Sequence, residues 1–106
     1  MLFELRVYEC KAGKRDEWVQ FMEEEIIPFQ IAKGMVIVAS FVAEQDDHTY
    51  VWMRRFVDEA DRVRLYAAVY ESDHWKNVIS PRVGDLIDRS TIKVTRLTPT
   101  PKSVLQ

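Results

Sequence analysis

Glycine, histidine and cysteine are all scarce in this chain, and each scarcity closes off a class of chemistry. The three glycines, Gly13, Gly34 and Gly84, lie far apart, so no glycine-rich loop exists to lay backbone N–H groups around a phosphate. They read as turn and helix punctuation. The two histidines, His48 and His74, have no HxH, HxxxH or CxxC companion, so no zinc or iron ligand set stands at a usable spacing. The one cysteine, Cys10, has no partner for an internal disulfide, which agrees with a reducing compartment, and near a strand end it reads as a small buried hydrophobe.

Long apolar runs are missing too. The longest, Met35 to Ala39, is far short of a membrane span, and Leu2 enters a strand pattern with no charged leader or cleavage site before it. No membrane partner is expected, and the expected location is the cytoplasm. Nor is there an excess of basic charge: 15 Lys and Arg are interspersed with 17 Asp and Glu. No stripe emerges to neutralise phosphates, so no nucleic acid partner is expected. The acidic run Glu23-Glu24-Glu25 points its carboxylates in different directions around a helix and reads as a solvated face, not a metal site.

What is present is the composition of a globular protein, with 47% hydrophobic and 30% charged residues over 106 positions, enough for one domain and one core. The most informative stretch is HTYVWMRRF, His48 to Phe56. With a period of two, His48, Tyr50, Trp52, Arg54 and Phe56 share one side and Thr49, Val51, Met53 and Arg55 the other. Neither side looks solvated, so the strand needs a cover on both faces.

Around it, Leu2 to Cys10 alternates as a first strand, and Lys11 to Lys14 turns. Trp18, Phe21, Met22, Ile26 and Phe29 then recur at helical spacing through about Lys33. Pro28 should kink that helix, and Gly34 should end it in a left-handed conformation. Met35 to Ala43 is expected as a strand buried on both faces, returning through Gln45 to Asp47 into the His48 to Phe56 strand as a hairpin. Asp58 is placed to cap a helix through about Tyr70, and Ser72 to cap its continuation to about Asp88, bent at Pro81. Thr91 to Leu97 is the last expected strand. The proline-punctuated tail, residues 99–106, is expected to lie extended outside the domain of residues 1–98.

The order β-α-β-β-α-β is the split βαβ of a ferredoxin-like α+β fold: an antiparallel four-stranded sheet with its helices on one face. That leaves a bare face carrying Val51, Met53, Val36 or Ile37, and Val94 or Leu97. Two copies packing sheet to sheet would cover it, and several hundred Å² at about 25 cal/mol per Å² supplies the drive. A homodimer is therefore expected.

The chain resembles the NIPSNAP family, within the wider group of dimeric α/β barrel proteins that includes small antibiotic-biosynthesis monooxygenases. The residues that carry the resemblance are ELRVYECKAGK from Glu4 to Lys14, the Ile27-Pro28 pair, RRF-x-DE-x-x-R from Arg54 to Arg62, Ser72-Asp73 before Trp75, and LTPTPKS from Leu97. The resemblance implies the dimeric α/β barrel and little about activity. Relatives in the wider fold bind haem through one axial histidine, but nothing in this chain selects haem, and no cofactor is expected.

The candidate site is Arg6, Tyr8, Tyr50, Trp52 and Arg54, which neighbouring strands can bring together as guanidinium groups, phenols and an indole suited to stacking on and hydrogen-bonding a small planar or anionic molecule. The plainer reading is that the arginines pair with Glu4, Glu9 or Glu44 and the aromatics fill a core. His48, beside Asp46 and Asp47, reads as a proton shuttle or as a turn residue; His74, with Trp75 at a helix start, carries the same ambiguity. The expected function is a homodimer binding a small planar or anionic molecule between sheet and helices. The alternative is a cofactor-independent monooxygenase or isomerase acting on an aromatic or polyketide-like substrate, with Tyr8, His48 or His74 moving protons and Arg6 or Arg54 stabilising an enolate.

Overall fold

A computed structural model describes residues 1–106. Its strands are β1 (Leu2–Cys10), β2 (Val36–Val42), β3 (Thr49–Phe56) and β4 (Ile87–Leu97), joined in one antiparallel sheet of order β2-β3-β1-β4. The helices are α1 (Arg15–Phe21), α2 (Ile27–Ala32), α3 (Glu59–Tyr70) and α4 (Ser80–Leu86). They cover one face, completing the ferredoxin-like arrangement. No helix is long and apolar enough to cross a membrane.

Pro28 and Pro81 shape the helices in the same way. A π-helical turn, Met22–Ile26, joins α1 to α2 just before Pro28, and a second, Trp75–Ile79, leads into α4 just before Pro81. A proline removes one N–H and crowds the carbonyl four residues back, and the wider π turn relieves that crowding without ending the helix. The caps follow equally local rules. Asp58 accepts the Asp61 N–H at 2.8 Å while Asp61 accepts the Val57 N–H at 2.9 Å, a reciprocal box that starts α3. Ser72 Oγ accepts the Trp75 N–H at 3.2 Å. Gly34 ends α2 at φ +107°, where an added Cβ would also stand 3.2 Å from Leu65 Cδ2. Gly34→Ala is therefore expected to lower the unfolding free energy by about 1–2 kcal/mol in urea titrations. Gly13 is also left-handed but has nothing within 4 Å of that position, so Gly13→Ala should cost less.

Three expectations are corrected. The last strand begins at Ile87, not Thr91: Ile87 is extended at φ −124°, ψ 157°, and pairs with Cys10. A bulge then shifts the register before Val7 meets Lys93. Leu86 and Ile87 suit a helix face and a strand face alike, and neither glycine nor proline marks the change. β2 is an edge strand and is not buried on both faces; Phe41 remains 61% exposed. The tail is not extended, because a turn brings the Ser103 N–H to the Thr100 carbonyl and the Arg55 side chain bonds the Gln106 carbonyl at 2.5 Å. Pro99 and Pro101 exclude a ladder but permit that turn.

The register sorts the faces. Glu4, Arg6 and Tyr8 pair with Arg54, Trp52 and Tyr50 and look toward the helices; Leu5 and Val7 pair with Met53 and Val51 on the open side. Val36, Phe41 and Leu97 fall on the open side, whereas Ile37 and Val94 pair with Arg54 and Arg6 on the covered one. The main core joins Tyr8, Tyr50 and Trp52 to Trp18, Met22 and Ile79, and a smaller cluster holds Met35, Phe56, Leu65 and Val69.

Candidate functional site

At the centre of the covered face, Arg54 is fully buried. Its guanidinium lies between the two apolar clusters, 4.8 Å from the Trp52 ring and 5.8 Å from that of Phe56. A buried cation persists only when most of its donors are matched, and here both Nη groups are while Nε has no partner. Nη2 donates to Glu4 Oε1 and to the Tyr66 hydroxyl, each at 2.9 Å. Nη1 donates to Gln30 Oε1 at 3.0 Å and the Tyr70 hydroxyl at 2.6 Å. The Tyr66 hydroxyl in turn donates to Glu4 Oε2 at 2.6 Å. Arg6 joins from the next strand, donating through Nε to the Tyr8 hydroxyl at 2.8 Å and through Nη1 to Tyr66 at 3.3 Å. Glu4 is the only carboxylate that either guanidinium meets, at 2.9 Å from Arg54 and 4.0 Å from Arg6.

Beside this network, between the sheet and the helices, is a cavity of about 190 Å³. At about 30 Å³ of liquid per water it has room for roughly six waters. Its walls are mostly apolar, from Met22, Ile26, Val83 and Ile87, with Trp18, Trp52 and Trp75 adding flat aromatic surface. Its polar groups are Arg6, Tyr8, Tyr70, Ser80 and Arg89; no aspartate or glutamate lines it. The buried indole N–H groups of Trp18 and Trp52 have no hydrogen-bond partner. A largely pre-formed apolar space with a few converging donors is the usual form of a small-molecule site.

Four of the eight residues expected at the site line this cavity: Arg6, Tyr8, Trp52 and Trp75. The others lie elsewhere. Tyr50 is buried against Trp18 and shares a 2.6 Å hydrogen bond with the Ser40 hydroxyl. Arg54 is enclosed in the network behind the cavity wall. His48 sits at the end of the β2–β3 return, just before β3, 3.7 Å from Asp46 and 3.6 Å from Asp47, while His74 is exposed and packs on the Phe29 ring. Asp46 itself organises that turn, accepting the His48 and Thr49 N–H groups and the Thr49 hydroxyl, and these bonds, Thr49's first, hold its carboxyl down at about 2. No three His, Cys, Asp or Glu side chains converge to hold a metal.

Sequence reasoning missed Tyr70, Tyr66 and Arg89. Tyr66 and Tyr70 are four apart on α3 and so share one helix face, a signal available in the sequence. Arg89 had none, because it stands in the β4 bulge, where the strand period fails.

Burial also shapes the response to alkali. It pushes the Cys10 thiol from 9.0 up to about 11 and the Tyr50 and Tyr66 phenols from 10.0 up to about 12. Each raised value means that the folded chain keeps its proton longer than the unfolded one. The associated stability is whole below about pH 9 and is lost as pH rises through 11 and 12. The thermal midpoint should therefore fall steadily above pH 9, and Cys10→Ala should delay the onset of that fall.

A family model described as NIPSNAP matches residues 3–102. Among solved structures, a NIPSNAP family protein from Agrobacterium tumefaciens strain C58 is similar at TM-score 0.88 and 24% identity, covering 99% of this chain and 98% of that one. An uncharacterised NIPSNAP domain protein from Burkholderia xenovorans is similar at TM-score 0.84 and 17% identity, covering 96% and 97%. A structure described as an antibiotic biosynthesis monooxygenase is similar at TM-score 0.69 and 17% identity, covering 95% and 100%. No curated protein matches the chain. At these identities the solved structures establish the fold.

Proposed function

This chain belongs to the NIPSNAP family, and from that premise we propose that it acts in the cytoplasm as a homodimer that binds a small planar or anionic molecule in the cavity between sheet and helices. The observation that carries the reading is the lining: Arg6 and Arg89 with hydroxyl donors, flat aromatic walls and no carboxylate. A cation-lined apolar space draws an anion with an apolar body and rejects a cation. At about 190 Å³ the cavity suits a single ring or a body of that size. The buried, reduced Cys10 fits a cytoplasmic location. A monooxygenase or isomerase has less support, because His48 and His74 lie outside the cavity and leave only phenols beside it to move protons.

The dimer rests on the open sheet face. Val36, Phe41 and Leu97 are 46%, 61% and 38% exposed there, alongside half-buried Leu5, Val7, Val51 and Met53. Face-to-face packing of two such sheets would bury them. Sedimentation velocity at micromolar concentration is expected to give twice the chain mass, and Val51→Lys to halve it; a stable wild-type monomer would refute the dimer.

The ligand reading is tested by native mass spectrometry of the freshly purified chain, together with thermal shifts against benzoate and its uncharged counterpart benzamide. Benzoate should raise the melting temperature more than benzamide does. Arg89→Ala, on the exposed rim, should erase that difference with little change in the unliganded melting temperature. Absence of any bound species, with no shift by either compound, would sink the reading.

A further inference from the structure

Resting on the reading that the cavity takes a ligand, we infer that Tyr8 and Tyr70 form a paired hydroxyl cradle that holds the ligand through a single oxyanion, an enolate or phenolate, in preference to the neutral enol or phenol. Tyr8 accepts from Arg6 Nε at 2.8 Å, and Tyr70 accepts from Arg54 Nη1 at 2.6 Å. Neither hydroxyl donates to any protein group, and both residues line the cavity. Their protons are free for whatever enters. Tyr66 provides the internal contrast: it accepts from both arginines but spends its proton on Glu4 at 2.6 Å, and it does not line the cavity.

A hydroxyl that accepts from a cation becomes a stronger donor, because the accepted bond polarises its O–H. The cradle therefore joins two strengthened donors to a local surplus of positive charge, since Arg6 and Arg54 share the single carboxylate of Glu4. The unpartnered indole N–H groups of Trp18 and Trp52 in the same walls add donors and no acceptors. Preorganised donors of this kind stabilise negative charge on oxygen more than they stabilise its neutral acid.

The arrangement also discriminates among anions. Arg6 has committed Nε to Tyr8 and Nη1 to Tyr66, so its side-on fork is not free to clasp a carboxylate in the usual bidentate way. Two separate O–H donors suit one oxygen with its lone pairs. On binding, the O–H bond of the ligand breaks and its proton passes to solvent, leaving the oxyanion against the two phenols.

4-Nitrophenol, whose ionised form absorbs visibly, is the probe. Titrated against the full wild-type chain, it should ionise when bound at a pH about one unit lower than when free, an approximately tenfold preference for phenolate. Tyr8→Phe and Tyr70→Phe should each bring the bound value back most of the way to the free one. Tyr66→Phe should lower the melting temperature yet keep the shift, which separates the cradle from general damage to the network. If one cradle variant fails to fold, the other carries the test. Binding with no shift, or binding of benzoate but not 4-nitrophenol, would overturn the oxyanion cradle while leaving the ligand site standing. If neither compound binds, the ligand reading fails together with the inference built on it.

Discussion

Arg54→Met is expected to lower the unfolding free energy by about 3–5 kcal/mol. The methionine fills much of the arginine stem but leaves Glu4, only 2% exposed, with Tyr66 as its one hydrogen-bond donor. It also strips Gln30 and Tyr70 of a donor at 3.0 Å and 2.6 Å. A buried carboxylate without its cation must either take up a proton or stay charged at great cost. Against a typical total of about 5–15 kcal/mol, such a loss should appear as a large drop in the urea midpoint. Arg54→Lys should fall between the two, since one ammonium cannot serve Glu4, Tyr66, Gln30 and Tyr70 from a single plane. Adding Glu4→Leu to Arg54→Met should recover part of the loss, because the orphaned charge goes with it. A wild-type midpoint for Arg54→Met alone would mean that the network contributes nothing to stability.

Trp18→Ala should follow closely, at about 3–5 kcal/mol. Trp18 is 1% exposed, and its ring centroid lies 5.9 Å from Tyr8, 6.1 Å from Tyr50 and 6.2 Å from Phe21. It thereby ties α1 to β1 and β3. Truncation would open the existing 190 Å³ cavity into the core and forfeit the edge-to-face contacts. Trp18→Phe should lose far less, because a ring remains and the indole N–H it removes has no partner. Denaturant unfolding of the pair checks this directly: equal losses would show that the indole N–H matters to the folded chain without ligand.

The two variants also mark how far the sequence could be read. Trp18 stood out at helical spacing with Phe21, Met22 and Ile26, and its place in the core followed from that period. The sequence places Arg54 on the correct strand face, beside Tyr50 and Trp52, and leaves it between a ligand pocket and an ion pair with Glu4, Glu9 or Glu44; the structure shows the pair with Glu4. What decided its role was the arrival of Glu4 from β1, Gln30 from α2 and Tyr66 and Tyr70 from α3, partners spread across the chain. The histidines show the reverse. Their chemistry allows a proton shuttle or a plain turn residue, and a strand end and a helix surface keep both away from the cavity.

By itself the sequence determined the things that local physics controls: the alternation that sorts β1 and β3 into two faces, the caps at Asp58 and Ser72, the left-handed stop at Gly34 and the disturbance of both long helices by Pro28 and Pro81. It also carried the ferredoxin-like order of elements and the family resemblance. Only the tertiary structure decided where β4 begins, that β2 forms an exposed edge, that Arg54 is enclosed while Arg6 reaches the cavity, and that Tyr70 and Arg89 join Tyr8 there. The physical reason is one of range. Caps, turns and periodicity depend on neighbours a few positions away, whereas the fate of a charge or a hydroxyl depends on which distant side chains complete its hydrogen bonds.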